Sequence, residues 1–222
     1  MNKKVLAALI LNILVVLCTA GVTVSYYFYS INPLEPSGLA SYKYFTTDSN
    51  ILAGISSLVM IPYEIQILRG KRSKLPHFAE ILKYMAMTAV MLTFITVLTI
   101  LLPVYDVKFL LLGTAFYMHV AGPLMALVTF LFLETDTKIK FPETFLALIP
   151  CVVYGAVYLF ETVIIGEENG GWSDFYTFNK GGFWYITMFA LLGVSYLIAV
   201  VSRIIHNKML KVSSEKRSET DD

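Results

Sequence analysis

From Tyr84 to Leu102 the chain reads YMAMTAVMLTFITVLTILL, nineteen residues without one charged side chain. A run of this kind matches the roughly 20 apolar residues that an α-helix needs to cross the hydrocarbon core of a bilayer. Five more predominantly apolar runs lie around it: Val5 to Tyr27, Ser49 to Leu68, Phe109 to Leu133, Thr144 to Gly166 and Phe183 to Ser202. Across all 222 residues, 57% are hydrophobic and only 15% charged, and the mean hydropathy is +0.68. Soluble domains do not have this composition. The sequence therefore predicts an all-α polytopic membrane protein: one compact bundle of six transmembrane helices over residues 1–212, followed by a polar, aperiodic and disordered tail at 213–222.

The 17 basic and 16 acidic residues leave a net charge of +1, so position decides more than the total. With six spans, Lys43, Lys108 and Lys180 fall on one side, whereas Lys3, Lys4, Arg69, Lys71, Arg72, Lys74, Lys83, Lys138, Lys140, Arg203 and the remaining basic residues fall on the other. The positive-inside rule assigns that richer side, and both termini, to the cytoplasm. The first run follows Lys3 and Lys4 as a signal peptide would, but its apolar stretch outlasts an ordinary signal core and is expected to stay as a span. Cys18 and Cys151 sit inside apolar runs without metal-ligand spacing and read as packing residues. No metal site, cofactor or nucleic-acid partner is expected.

Few polar residues interrupt the spans, and those few carry any chemistry. His119 lies within Tyr117-Met118-His119-Val120-Ala121-Gly122-Pro123 on the fourth span. An imidazole in hydrocarbon needs a partner, so it faces either another helix or a functional pocket. Proline has no amide hydrogen, so Pro123 deprives the His119 carbonyl of its helical donor and predicts a kink there. Near neutral pH such a histidine can serve as a base. His77 and His206 fall in basic segments and are expected to be solvated.

At the start of the second span stand five small polar residues, Thr46-Thr47-Asp48-Ser49-Asn50. One of them suffices as an N-cap, with Asp48 at the positive end of the helix dipole. The others are left for another role, which for a threonine or serine includes that of a nucleophile activated by His119. Counted from Phe109, His119 lies about ten residues or 15 Å into its helix, so contact with Thr46 requires a sunken second helix or a tilted fourth. Tyr154, Tyr158 and Glu161 share one face of the fifth span, either in the interfacial belt or as a pocket wall and gate. The following loop, Gly166 to Asn179, combines glycines with Trp172 and Tyr176, and serves either as a lid or as an interfacial anchor.

The order of these features resembles the six-span androgen-induced and androgen-dependent membrane hydrolases and their bacterial relatives. The resemblance rests on Tyr42-Lys43-Tyr44-Phe45-Thr46, Leu68-Arg69-Gly70, Met118-His119 with Pro123 and Glu134, and Gly171-Trp172 with Phe178. It covers most of the chain and implies a bacterial plasma-membrane protein whose partner is a membrane lipid or fatty-acyl ester, hydrolysed without a metal as the animal members hydrolyse fatty acid esters of hydroxy fatty acids. By the same resemblance Thr46 is the nucleophile and His119 the base, with Thr47 as an alternative nucleophile. Asp48, Ser49 and Asn50 depart from the more apolar animal pattern. Ser49 and Asn50 are candidates for binding the oxyanion, and Thr47 and Asp48 for positioning substrate. The other reading of the same polar pocket is a non-enzymatic lipid-binding or transport module.

Overall fold

The computed structural model describes residues 2–28, 38–103 and 106–221, the side chains of 109 and 213–221 excepted. It is all-helical among these residues, with six helices long and apolar enough to cross a membrane. They are α1 (Lys3–Phe28), α2 (Phe45–Leu68), α3 (His77–Leu101), α5 (Thr114–Leu133), α6 (Pro142–Ile165) and α7, whose apolar part is Trp184–Val212. A short amphipolar helix, α4 (Val107–Leu111), precedes α5. It takes up the beginning of the expected fourth span, which breaks at Gly113, where φ is +60°. The sixth helix runs on to Asp221, through the stretch expected to be disordered. Beyond Gly193 it meets no glycine or proline that would end it.

The six spans alternate in direction. One end of the bundle therefore gathers Lys3, the Arg69–Lys74 turn, residues 134–141 and the far part of α7, and is called the basic end. The other gathers residues 38–44, 102–103, 106–113 and 166–183, and is called the aromatic end. Helix α3 is the most enclosed, with 56% of its apolar window buried against 17% for α6 and for α7. Its Tyr84, Met87 and Val90 pack with Ala126, Phe130, Ala147 and Ala199 from α5, α6 and α7. Tyr84 stacks on Phe130 at 5.1 Å and donates its hydroxyl to the Ala199 carbonyl at 2.6 Å.

Large apolar side chains point outward all round, Leu17 at 63% and Phe189 at 72% exposure among them. In lipid such exposure costs nothing, so close packing and polar contacts must hold the helices together. The α1–α2 seam shows both. On α1 the buried residues Ala8, Asn12, Val15, Thr19, Val22 and Tyr26 recur every three or four positions. Facing them, α2 buries Asn50, Ala53, Gly54, Ser57 and Glu64, and the Thr19 methyl comes to 3.0 Å from where a Cβ at Gly54 would stand.

The basic end corrects two expectations. Lys83 lies inside α3 and is 1% exposed, rather than outside the span expected to start at Tyr84. His206 is wholly buried, its Nδ1 directed at the Phe130 carbonyl (2.9 Å) and its Nε2 at the Thr137 carbonyl (3.0 Å). Carbonyls only accept, so a ring N–H is what each can hold, and the ring stacks on Phe130 at 4.5 Å and lies 4.0 Å from Glu80. His77 is half-exposed but also engaged, with Thr137 and with Glu143, each at 2.7 Å. These groups fix the 134–141 connection: Glu80 accepts from the Asp136 and Thr137 amides and the Thr137 hydroxyl, and Asn207 exchanges two bonds with the Ile139 backbone. His206 is drawn inward because the 134–141 connection and α5 offer it backbone carbonyls away from water.

Candidate functional site

The second helix begins at Phe45, so Thr46 to Asn50 all lie within it, and its N-cap is Tyr44, which makes no capping bond through its side chain. The cap expected from the polar cluster comes instead from the loop: the Phe45 amide donates to the Tyr176 hydroxyl at 3.2 Å. Burial holds that phenol above its ordinary range, so it remains a neutral hydroxyl. The cluster is left free to face its neighbours. Ser49 donates to the Thr46 carbonyl and meets Thr93 on α3, both at 3.1 Å.

On α5 the residues around His119 form a π turn, Tyr117–Ala121, in which the Gly122 amide reaches back to the Tyr117 carbonyl. The next donor in that register is the Pro123 nitrogen, which has no hydrogen, so the Met118 carbonyl is left over. Asn50 supplies the missing donor: its Nδ2 donates to the Met118 carbonyl at 3.0 Å and to the Thr46 carbonyl at 2.8 Å. The carbonyl capped is thus one residue before the one expected, because the wide turn shifts the register. Gly122 leaves the room for this contact, since a Cβ there would lie 2.9 Å from Asn50 Oδ1 and 3.1 Å from the Tyr117 carbonyl.

One amide side chain therefore holds the backbone of residue 46 level with that of residue 118. The depth mismatch expected from sequence is largely removed, because α5 starts at Thr114 and His119 lies only one to two turns in. His119 is 4% exposed, and its Nδ1 lies 2.6 Å from the Leu110 carbonyl. That carbonyl accepts, so Nδ1 carries the hydrogen and a neutral ring keeps the Nε2 lone pair available. Among the described residues no hydrogen bond joins His119 to Thr46 or to Glu161.

Thr46 lines a cavity of about 150 Å³ at the aromatic end. Its walls come from Phe45 on α2, Thr93, Thr96 and Ile100 on α3, Cys151 and Tyr154 on α6, and Met188 and Leu191 on α7, with Tyr176 and Phe178 at the loop side. Thr47, Asp48, Ser49, Asn50 and His119 are not among its lining residues. The space is mostly apolar, with hydroxyls from Thr46, Thr93, Thr96 and Thr187, a combination suited to an acyl chain carrying one polar group.

Residues 172–179 cover this region. Asp174 organises them: one carboxylate oxygen accepts from the Tyr158 hydroxyl (2.9 Å) and the Phe178 amide (2.7 Å), the other from the Asn179 amide (2.8 Å). Tyr158 is wholly buried with Trp172, Phe175, Tyr176 and Phe178 around its ring. Tyr154 donates to the Lys43 carbonyl at 2.6 Å, and the Lys43 ammonium lies 5.6 Å from the Trp172 ring centre. Glu161 is half-buried in the π turn Phe160–Ile165 and makes no side-chain hydrogen bond among the described residues. Its carbonyl stands 2.2 Å from where a Gly171 Cβ would be, which explains a glycine before Trp172.

Sequence reasoning passed over a second polar group of residues, at the basic end. Asn12, Ser57, Glu64, Lys83 and Glu134 are each no more than 1% exposed. Asn12 and Glu64 interrupt apolar runs and were discoverable as intramembrane polar residues. Comparison with models of protein families, with curated proteins and with solved structures finds no match to this chain.

Proposed function

We propose that this chain is an integral protein of a bacterial plasma membrane, with both termini cytoplasmic, that takes a fatty-acyl ester into the cavity at its aromatic end and hydrolyses it. Thr46 is the nucleophile and His119 the base. The Thr46 oxygen bonds to the ester carbonyl carbon while its proton passes to His119 Nε2, and the departing alkoxide takes that proton as the ester bond breaks. Water then attacks the acyl-threonine with the same base, releasing the fatty acid and restoring both side chains. The observation that carries this reading is the Asn50 bridge, which ties the backbone of the cavity threonine to that of the histidine segment. The Nδ1–H to Leu110 bond supports it by leaving Nε2 as the basic nitrogen. Catalytic hydrogen bonds commonly tighten only with substrate bound, and the reading requires Thr46 and His119 to meet in that state.

A second reading, in which the cavity holds a lipid without cleaving it, is favoured by the missing hydrogen bond between the two side chains. A lipid-like fluorophosphonate separates the two readings. An adduct on Thr46 of the purified protein, lost in Thr46→Ala and in His119→Ala, is the outcome expected for the hydrolase. Retention of the lipid by a folded protein that forms no adduct would give the second reading instead.

A further inference from the structure

The buried polar group at the basic end has an unusual charge count. Asn12 donates through Nδ2 to Glu64 Oε1 at 2.9 Å and to Glu134 Oε1 at 2.6 Å. Its Oδ1 accepts from the Lys83 ammonium at 2.5 Å, and Lys83 donates also to Ser57 at 2.7 Å. Lys83 stands 4.0 Å from Glu134 Oε1 and forms an ion pair with it. Glu64 has no cation within that range among the described residues. With both acids ionised the group would hold one uncompensated negative charge, which burial in a low-dielectric interior does not sustain. Independently of that count, Glu64 Oε2 and Glu134 Oε2 are buried and have no hydrogen-bond partner.

Among the described residues no cation other than Lys83 stands within 4.0 Å of Glu64 or Glu134. On α3, Glu80 stands 4.0 Å from His206 of α7 and accepts from the Asp136 and Thr137 amides. Lys4 of α1 donates to Thr135, beside Glu134 and toward the end of the bundle. Asp136, in the connection after α5, adds negative charge and accepts from the Leu75 amide.

We infer that this group is a proton-binding site: Glu64 carries one exchangeable proton as a neutral acid, while Lys83 and Glu134 stay charged as a pair. The ligand at this end of the bundle is a proton, held on the one carboxyl without a cation, next to an unpartnered oxygen of the second acid. The site is separate from the cavity and does not rest on the hydrolase reading.

Infrared spectra of the purified protein in detergent, in light and heavy water at neutral pH, test it through the carbonyl stretch of protonated carboxyls. The wild type is expected to show such a band, shifting in heavy water, with a component that disappears in Glu64→Gln. That variant replaces a neutral acid by its isostere and should melt as the wild type does. Lys83→Met removes the cation, so both acids become neutral and the component should roughly double. Glu134→Gln leaves Lys83 with Glu64 alone, so Glu64 ionises and the component is lost. The last variant settles the count if Lys83→Met does not fold. Wild-type and Glu64→Gln spectra that coincide in this region, or a component unchanged in Glu134→Gln, would overturn the proposal.

Discussion

Two asparagines bear more of this structure than their size suggests. Asn50 replaces a donor that Pro123 cannot supply, so Asn50→Leu should leave the Met118 carbonyl buried and unsatisfied. A loss of about 1–3 kcal/mol is expected, read as a lower melting temperature in detergent. Gly122→Ala should act on the same contact by overpacking, at a cost of about 1–3 kcal/mol. Asn12 joins three ionisable side chains, and Asn12→Leu removes one hydrogen bond from each of them. A larger penalty follows, about 3–5 kcal/mol, since a buried ion pair loses its supporting bonds. If Asn12→Leu melts with the wild type, the group at the basic end is not what holds α1 to α2, α3 and α5.

Among the elements, the loop at 172–179 depends on one carboxylate. Asp174→Ala removes the acceptor for two amides and the Tyr158 hydroxyl, a local loss on the order of 2 kcal/mol. Protease cleavage within that loop should then accelerate while the melting of the bundle changes little. Helices of this kind were readable from sequence because charge-free length is a strong signal in a bilayer. Their ends were less so, and for a physical reason: charges were taken to mark where a span stops. Lys83 breaks that rule because Asn12 and Ser57 satisfy it from other helices, a pairing across sequence separations that no local pattern displays. His206 was misplaced in the same way. At the candidate site, Thr46 and His119 stood out as polar residues near apolar spans, but the role of Asn50 depends on the wide turn opposite it, which periodicity does not reveal.

For the molecule as a whole, the uneven placement of basic residues predicts an orientation that labelling can read. With Cys18 and Cys151 replaced by alanine, Lys180→Cys should react with an impermeant maleimide in intact cells. Lys71→Cys should react only after permeabilisation, and the reverse pattern would invert the topology. The π turn at Tyr117–Ala121 has a consequence on the same scale. It contains one residue more than an α-helix would use, and each residue advances a helix by about 100°. The turn itself keeps Met118 and His119 in phase with α2 and Leu110, and the α-helical part after it, Gly122–Val128, keeps Ala126 in phase with Tyr84, Met87 and Val90 of α3. Deleting Val120 should therefore cost far more than Val120→Ala, because the shortened helix can satisfy the neighbours of one part only by turning the other away from its own.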